Sequence, residues 1–196
     1  MPKVSEEHRL AMRERIQQAA LECVAEKGFS NVSMGDIIAE AGLSAGAVYV
    51  YYRSKEELIV DAGRRLFAER MAALEGLGGH DSVPPPEQAI VALMAGLMQM
   101  DFFPGVAVQV WGEAVRNERL GEVARSILTQ IRGHIETYLE AWLRAARPSE
   151  DAELQARRLA PAVMGLIQGC AIQSALAGED AETAYLDSAR TLLAAL

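Results

Sequence analysis

The chain has 196 residues, of which 51% are hydrophobic and only 6% aromatic, and it carries a formal net charge of −8. This is ample material for an aliphatic core in one large domain or two small ones, and too acidic for a protein that coats nucleic acid irrespective of sequence. The opening MPKVSEEHR lacks an apolar signal core, and Cys23 and Cys170 lie far apart in apolar contexts, so a soluble cytoplasmic protein with reduced thiols is expected.

Met12, Ile16, Ala19, Ala20, Cys23 and Val24 recur at helical spacing and predict a first helix ending near Lys27-Gly28. Ser33 caps a second helix carrying Ile37, Ile38 and Ala41. Gly42 then suits a left-handed turn, and Ser44 offers an N-cap oxygen to a short helix running to about Tyr51. Val48 and Tyr52 are its expected inward anchors. Ser54-Lys55-Glu56-Glu57 reads as a capping box opening a fourth helix through Leu58, Ala62, Leu66 and Phe67 toward Leu74. The Gly- and Pro-rich stretch from Gly76 to Pro86 marks a loop.

Helical patterns continue beyond it. Glu87 to Met100 forms one helix, and Pro104 opens another containing Trp111. Leu120 to Arg144 is long and amphipathic, with Ile127, Ile131, Ile135, Tyr138 and Trp142 near one stripe. A segment from Pro148 runs to Ala177, Gly178-Glu179-Asp180 ends it, and Ala181 to Ala194 is the last helix. The run from Leu159 to Ala177 nearly reaches transmembrane length, but Gln168, Gln173 and Ser174 interrupt it, so a buried helix and no membrane partner are expected. The period never shifts to two, and the expected fold class is all-α with about nine helices. His8, His80 and His134 stand apart from one another and from the cysteines. No catalytic constellation, metal site or cofactor is therefore expected, and the chain does not read as an enzyme.

The stretch GLSAGAVYVYYRSKEEL, Gly42 to Leu58, carries the strongest signal. A two-turn, tyrosine-rich helix between a tight turn and a lysine-bearing helix N-terminus fits a major groove with phosphates on either side. Ile16 with Ala19 and Ala20, Gly28-Phe29, Ser33, Ile37-Ile38-Ala39, Ala41-Gly42-Leu43-Ser44, Gly46, Tyr49, Tyr51 and Ser54-Lys55 together resemble the N-terminal domain of the TetR family of transcriptional regulators. Two departures stand out: Tyr52 occupies a position where the family usually has Phe, and Ala45, Ala47 and Val50 occupy positions where many relatives carry longer polar side chains.

The resemblance implies a helix-turn-helix DNA-binding domain over residues 1–53. It also implies a helical regulatory and dimerisation domain over residues 54–196, the helix from Lys55 linking the two. Ser33, Ser44, Tyr49, Tyr51 and Lys55 match positions that commonly touch the DNA backbone, and helix N-termini independently attract phosphate. Ala45, Gly46, Ala47 and Val50 offer no bidentate hydrogen bonds, so thymine methyl contacts, Tyr51 and DNA shape are the expected means of base choice. The first 63 residues hold seven basic and ten acidic side chains, so cations such as Arg13 must gather on one face.

For a small apolar effector, Met94, Met98, Phe102, Phe103, Trp111, Tyr138 and Trp142 supply adaptable or aromatic walls. Gln109, Glu113 and Gln168 supply polar groups, and Glu113 also has Arg116 in reach. Met164, Gly165, Gly169, Gln173, Leu186 and Leu193, on the last two helices, are the expected homodimer interface. The partners expected are thus double-stranded palindromic operator DNA, a second copy of the chain and a small molecule, in a repressor. Control by a protein partner, or activation in place of repression, remains an alternative.

Overall fold

The computed structural model describes residues 6–77, 83–100, 103–148 and 151–196. Among them are nine helices and no strand: α1 Glu6–Lys27, α2 Met34–Ala41, α3 Ala45–Tyr49, α4 Lys55–Leu77, α5 Pro86–Met98, α6 Phe103–Arg116, α7 Glu118–Ala146, α8 Ala152–Ala177 and α9 Glu179–Leu193. The chain divides into two units, Met1–Leu66 with Gln109–Ala124, and Phe67–Val108 with Arg125–Leu196.

In the first unit α1 packs on α2, and α2 on α3. Ile16, Ala20 and Val24 of α1 are fully buried, four residues apart on one face, with Ile37, Val48, Tyr52 and Leu58. Both expected anchors of the short third helix, Val48 and Tyr52, are therefore in the core. That helix stops at Tyr49, short of the expected Tyr51. The N–H groups of Tyr51 and Tyr52 both return to the Val48 carbonyl, at 2.9 and 3.1 Å, and this tight turn drives the Tyr52 ring inward.

Tyr52 brings its hydroxyl with it, and the core answers with a polar network. The phenol donates to Asp61 Oδ2 at 2.7 Å and accepts from Gln17 Nε2 at 2.9 Å. Gln17 also donates to Asp61 and accepts from Arg65 Nε at 2.6 Å, which leaves this buried amide satisfied. Arg13 closes the set with a 2.6 Å bond to Asp61.

The second unit is built on α5, α8 and α9, which pack pairwise against one another. Ile90, Leu93, Met94 and Leu97 of α5 are fully buried or nearly so. From α8 the small side chains of Ala156, Ala160, Cys170 and Ala171 face inward, and Ile135, Leu139 and Leu143 make the buried stripe of α7. The α8 helix continues through Pro161, whose missing N–H falls on an exposed stretch. Its length and composition would allow it to cross a membrane, although here one face is committed to α5 and α9.

The junction between α8 and α9 is a single residue, Gly178 (φ 78°, ψ −166°). Glu179 and Asp180, expected in a turn, instead form the first turn of α9, where acidic groups suit the helix N-terminus.

Candidate nucleic-acid interface and effector region

The turn between α2 and α3 is fixed from both ends. Gly42, at φ 60°, closes α2 by donating to Ala39 O while Leu43 N–H reaches Ile38 O. This is a Schellman arrangement that a left-handed glycine permits. Ser44 then caps α3 through its hydroxyl, which accepts from Ala47 N–H at 3.3 Å. At the start of α2, Ser33 and Asp36 form a reciprocal capping box, of which the sequence analysis names only the serine. Asp36 also takes a 2.5 Å ion pair from Lys27. That ammonium, together with the Ser33 hydroxyl, holds the Asp36 carboxyl far below its ordinary range.

The box expected at Ser54 is shifted by one residue. Ser54 Oγ accepts from Glu57 N–H at 3.2 Å, but the Glu57 carboxylate accepts from Arg53 N–H at 3.0 Å in place of Ser54's own amide.

Around α3 the exposed residues are Ser44, Ala45, Gly46, Tyr49 and Val50, with Ala47 and Tyr51 half-buried. Tyr49 is 49% and Val50 80% exposed, a costly display of apolar surface for a small helix. A side chain added at Gly46 would meet nothing within 4 Å, so internal packing gives no reason for a glycine there.

The structure places two of the expected phosphate cations differently. The Lys55 ammonium donates to the carbonyls of Phe29 and Val32 at 2.7 and 2.8 Å and lies 4.9 Å from the centre of the Phe29 ring. It stitches the start of α4 to the α1–α2 turn. Arg13 is held by Tyr52 and Asp61, bonds that raise its already high pKa further. Sequence spacing shows that these residues carry charge, but only the folded chain shows what sits opposite them.

The residues expected to line an effector pocket separate between the two units. In the second unit Met94 and Met98 are buried in α5, and Phe103, Trp142 and Gln168 are half-buried. The Tyr138 hydroxyl donates to Pro84 O at 2.6 Å, and burial pushes this phenol above its usual range. Phe102 lies outside the described residues. Trp111, half-buried, belongs to the first unit, as do Gln109 and Glu113.

These last two meet the α1–α2 turn: Phe29 N–H donates to Gln109 Oε1 at 2.9 Å, and Ser30 Oγ to Glu113 Oε2 at 3.2 Å. Beside them is a cleft of about 360 Å³ bordered by Asn31, Gly112 and Arg116.

Of the expected dimer residues, Gly165 and Gln173 are exposed, and Met164 and Leu186 half-buried. Leu193, at 3% exposure, is instead part of its own subunit's core, while its neighbour Leu192 points outward at 61%. Gly169 has an internal partner as well: the Tyr185 phenol of α9 occupies the space a side chain would need. Ile172 and Leu176, four apart on α8, are exposed apolar positions outside the expected set. Their spacing within the apolar run was the available signal.

Residues 16–60 match the family model described as bacterial regulatory proteins, tetR family. Over 180 residues the chain is 29% identical to the HTH-type transcriptional regulator BetI of Agrobacterium fabrum, covering 90% of this chain and 82% of that one. Among solved structures, Salmonella enterica GusR shares the fold with a TM-score of 0.68 at 23% identity, over 99% of this chain and 98% of that one. The Bacillus subtilis regulator FadR, solved in complex with stearoyl-CoA, superposes with a TM-score of 0.70 at 17% identity, over 92% and 96% of the two chains. Residues 16–60, with their capped helix-turn-helix, thus carry a DNA-binding domain like that of the tetR family of bacterial regulatory proteins, and the all-helical chain has the fold of these solved neighbours.

Proposed function

We propose that the protein is a homodimeric repressor that binds a palindromic operator and is released by a small apolar effector. The observation that carries this reading is the exposed surface of α3. Tyr49 and Val50 stand out from a helix too short to need them for its own stability, next to a glycine with open space above it. A groove floor lined with thymine methyls would cover these groups, and the first-turn amides of α2 and α3 would meet the flanking phosphates. Residues 1–53 are taken as the reader and 54–196 as the regulatory part. An apolar effector is favoured by the methionine and aromatic side chains of the second unit, and by the acyl-CoA bound to the FadR neighbour. The cytoplasm is where such a regulator would work.

The test is selection of genomic fragments by the purified protein, followed by titration of the selected site across salt. A palindromic site is expected, with affinity that falls as salt rises. Tyr49→Ala and Val50→Ser should each weaken binding at least tenfold while leaving thermal stability in place. Absence of any enriched site, or indifference to both substitutions, would sink the reading.

A further inference from the structure

The turn between α1 and α2 is gripped from two sides by two distant parts of the chain. On one side Gln109 Oε1 accepts from the Phe29 N–H at 2.9 Å. On the other, Lys55 Nζ donates to the Phe29 carbonyl at 2.7 Å and to the Val32 carbonyl at 2.8 Å. Both polar groups of residue 29 are thus held by side chains, eighty and twenty-six positions away in sequence. The turn's own bonds run from the amides of Asn31 and Val32 to Gly28 O and from the Asn31 side chain to Lys27 O, and the Phe29 and Val32 side chains are buried, but none of these bonds engages the Phe29 peptide itself. Four residues after Phe29 comes Ser33, the N-cap that sets where α2 begins and where its first amides point.

We propose that Gln109 is a positioning residue for operator binding. Its carbonyl fixes the Phe29 peptide, and with Lys55 holds the turn that aims the N-terminus of α2 at the DNA backbone. Gln109 touches no DNA itself. Glu113, one helical turn further along α6, reinforces the grip through Ser30. The geometry also accounts for a polar pair in the otherwise apolar run from Gly105 to Val115: it serves a backbone amide and a hydroxyl of the reader unit. This inference rests on the operator-binding reading above.

The experiment compares full-length wild type with Gln109→Met and Gln109→Glu. The first keeps the length of the side chain and loses the acceptor; the second keeps an acceptor at the same atom. Three quantities are read for each: the hydrogen-exchange rate of the Phe29 amide, the melting temperature, and the affinity for the site that wild type selects. Gln109→Met is expected to speed Phe29 exchange at least tenfold and weaken the operator complex about tenfold, with the melting temperature and salt slope close to wild type. Gln109→Glu is expected to restore slow exchange and most of the affinity. Faster exchange with unchanged affinity would overturn the positioning role, and unchanged exchange would show that the bond does not form. A weakened operator complex in Gln109→Met that Gln109→Glu leaves equally weak would overturn it too. If wild type itself selects no site, the operator-binding reading fails first, and the proposal falls with it.

Discussion

Tyr52 shows how one added atom reorganises a core. A phenylalanine there would need only apolar neighbours, whereas the phenol draws Gln17, Asp61 and Arg13 into contact on a side chain that is 1% exposed. The network has consequences for both composition and pH. Tyr52→Phe, apparently conservative, leaves Asp61 and Gln17 each short of a partner and should cost about 1–2 kcal/mol in urea unfolding. A loss below about 0.3 kcal/mol would mean that water fills the gap. For Asp61, burial pushes the carboxyl up, but the bonds from Tyr52 and Arg13 outweigh it, so the folded pKa lies below the ordinary value. The unfolded chain takes up this proton first, near pH 4, so the carboxylate's contribution is complete above that value and is lost as pH falls through the lower folded one. The stability gap between wild type and Asp61→Asn should accordingly be widest at neutral pH and narrow on acidification to pH 3. A gap independent of pH would assign the effect of the substitution to packing.

At the scale of the element, junctions carry the strictest demands. Gly178 joins two long helices through one residue at φ 78° and ψ −166°, a backbone region essentially closed to side chains. A methyl group there would meet nothing within 4 Å, so the cost of Gly178→Ala comes from the backbone alone, about 1–3 kcal/mol. Calorimetry of this variant beside Gly133→Ala separates conformation from bulk, since Gly133 lies inside α7 with equally open space around it and should be neutral or better as alanine. Equal melting temperatures would contradict the assignment. The same junction shows what the sequence alone could reveal. Apolar periodicity located each helix to within a few residues because burial on one face repeats along the chain, as at Ile16, Ala20 and Val24. The Gly-Glu-Asp run predicts a turn because composition does not distinguish a three-residue loop from a one-residue corner followed by an acidic first turn. The site was legible in a similar, partial way. Local caps such as Ser33 and Ser44 could be read from their neighbours. The roles of Lys55, Arg13 and Gln109 depend on partners twenty to eighty residues distant, which no local pattern encodes.

For the whole molecule the proposed function has to explain how an acidic chain with a five-residue reading helix would hold a polyanion. One such helix buries little surface, and two of its neighbouring cations are occupied internally. The proposed homodimer answers this by joining two readers, since a second contact made within one complex benefits from a high effective concentration. The surface we assign to that joining lies on α8 and α9, where Leu176 is 78% and Leu192 61% exposed in the single chain. Introducing charge at such exposed positions costs the isolated subunit little. On the proposed dimeric reading wild type should sediment as a dimer, and the double variant Leu176→Glu, Leu192→Glu should keep its helical circular dichroism and sediment as a monomer. Its operator affinity should fall by about a hundredfold or more, the loss expected when two linked contacts become independent. The slope of affinity against salt should fall toward half, because a lone subunit neutralises only its own half-site phosphates. A variant that stays dimeric would move the interface to another face. A monomeric variant with full affinity and an undiminished salt slope would show that one subunit suffices, and would remove the need for a two-fold operator.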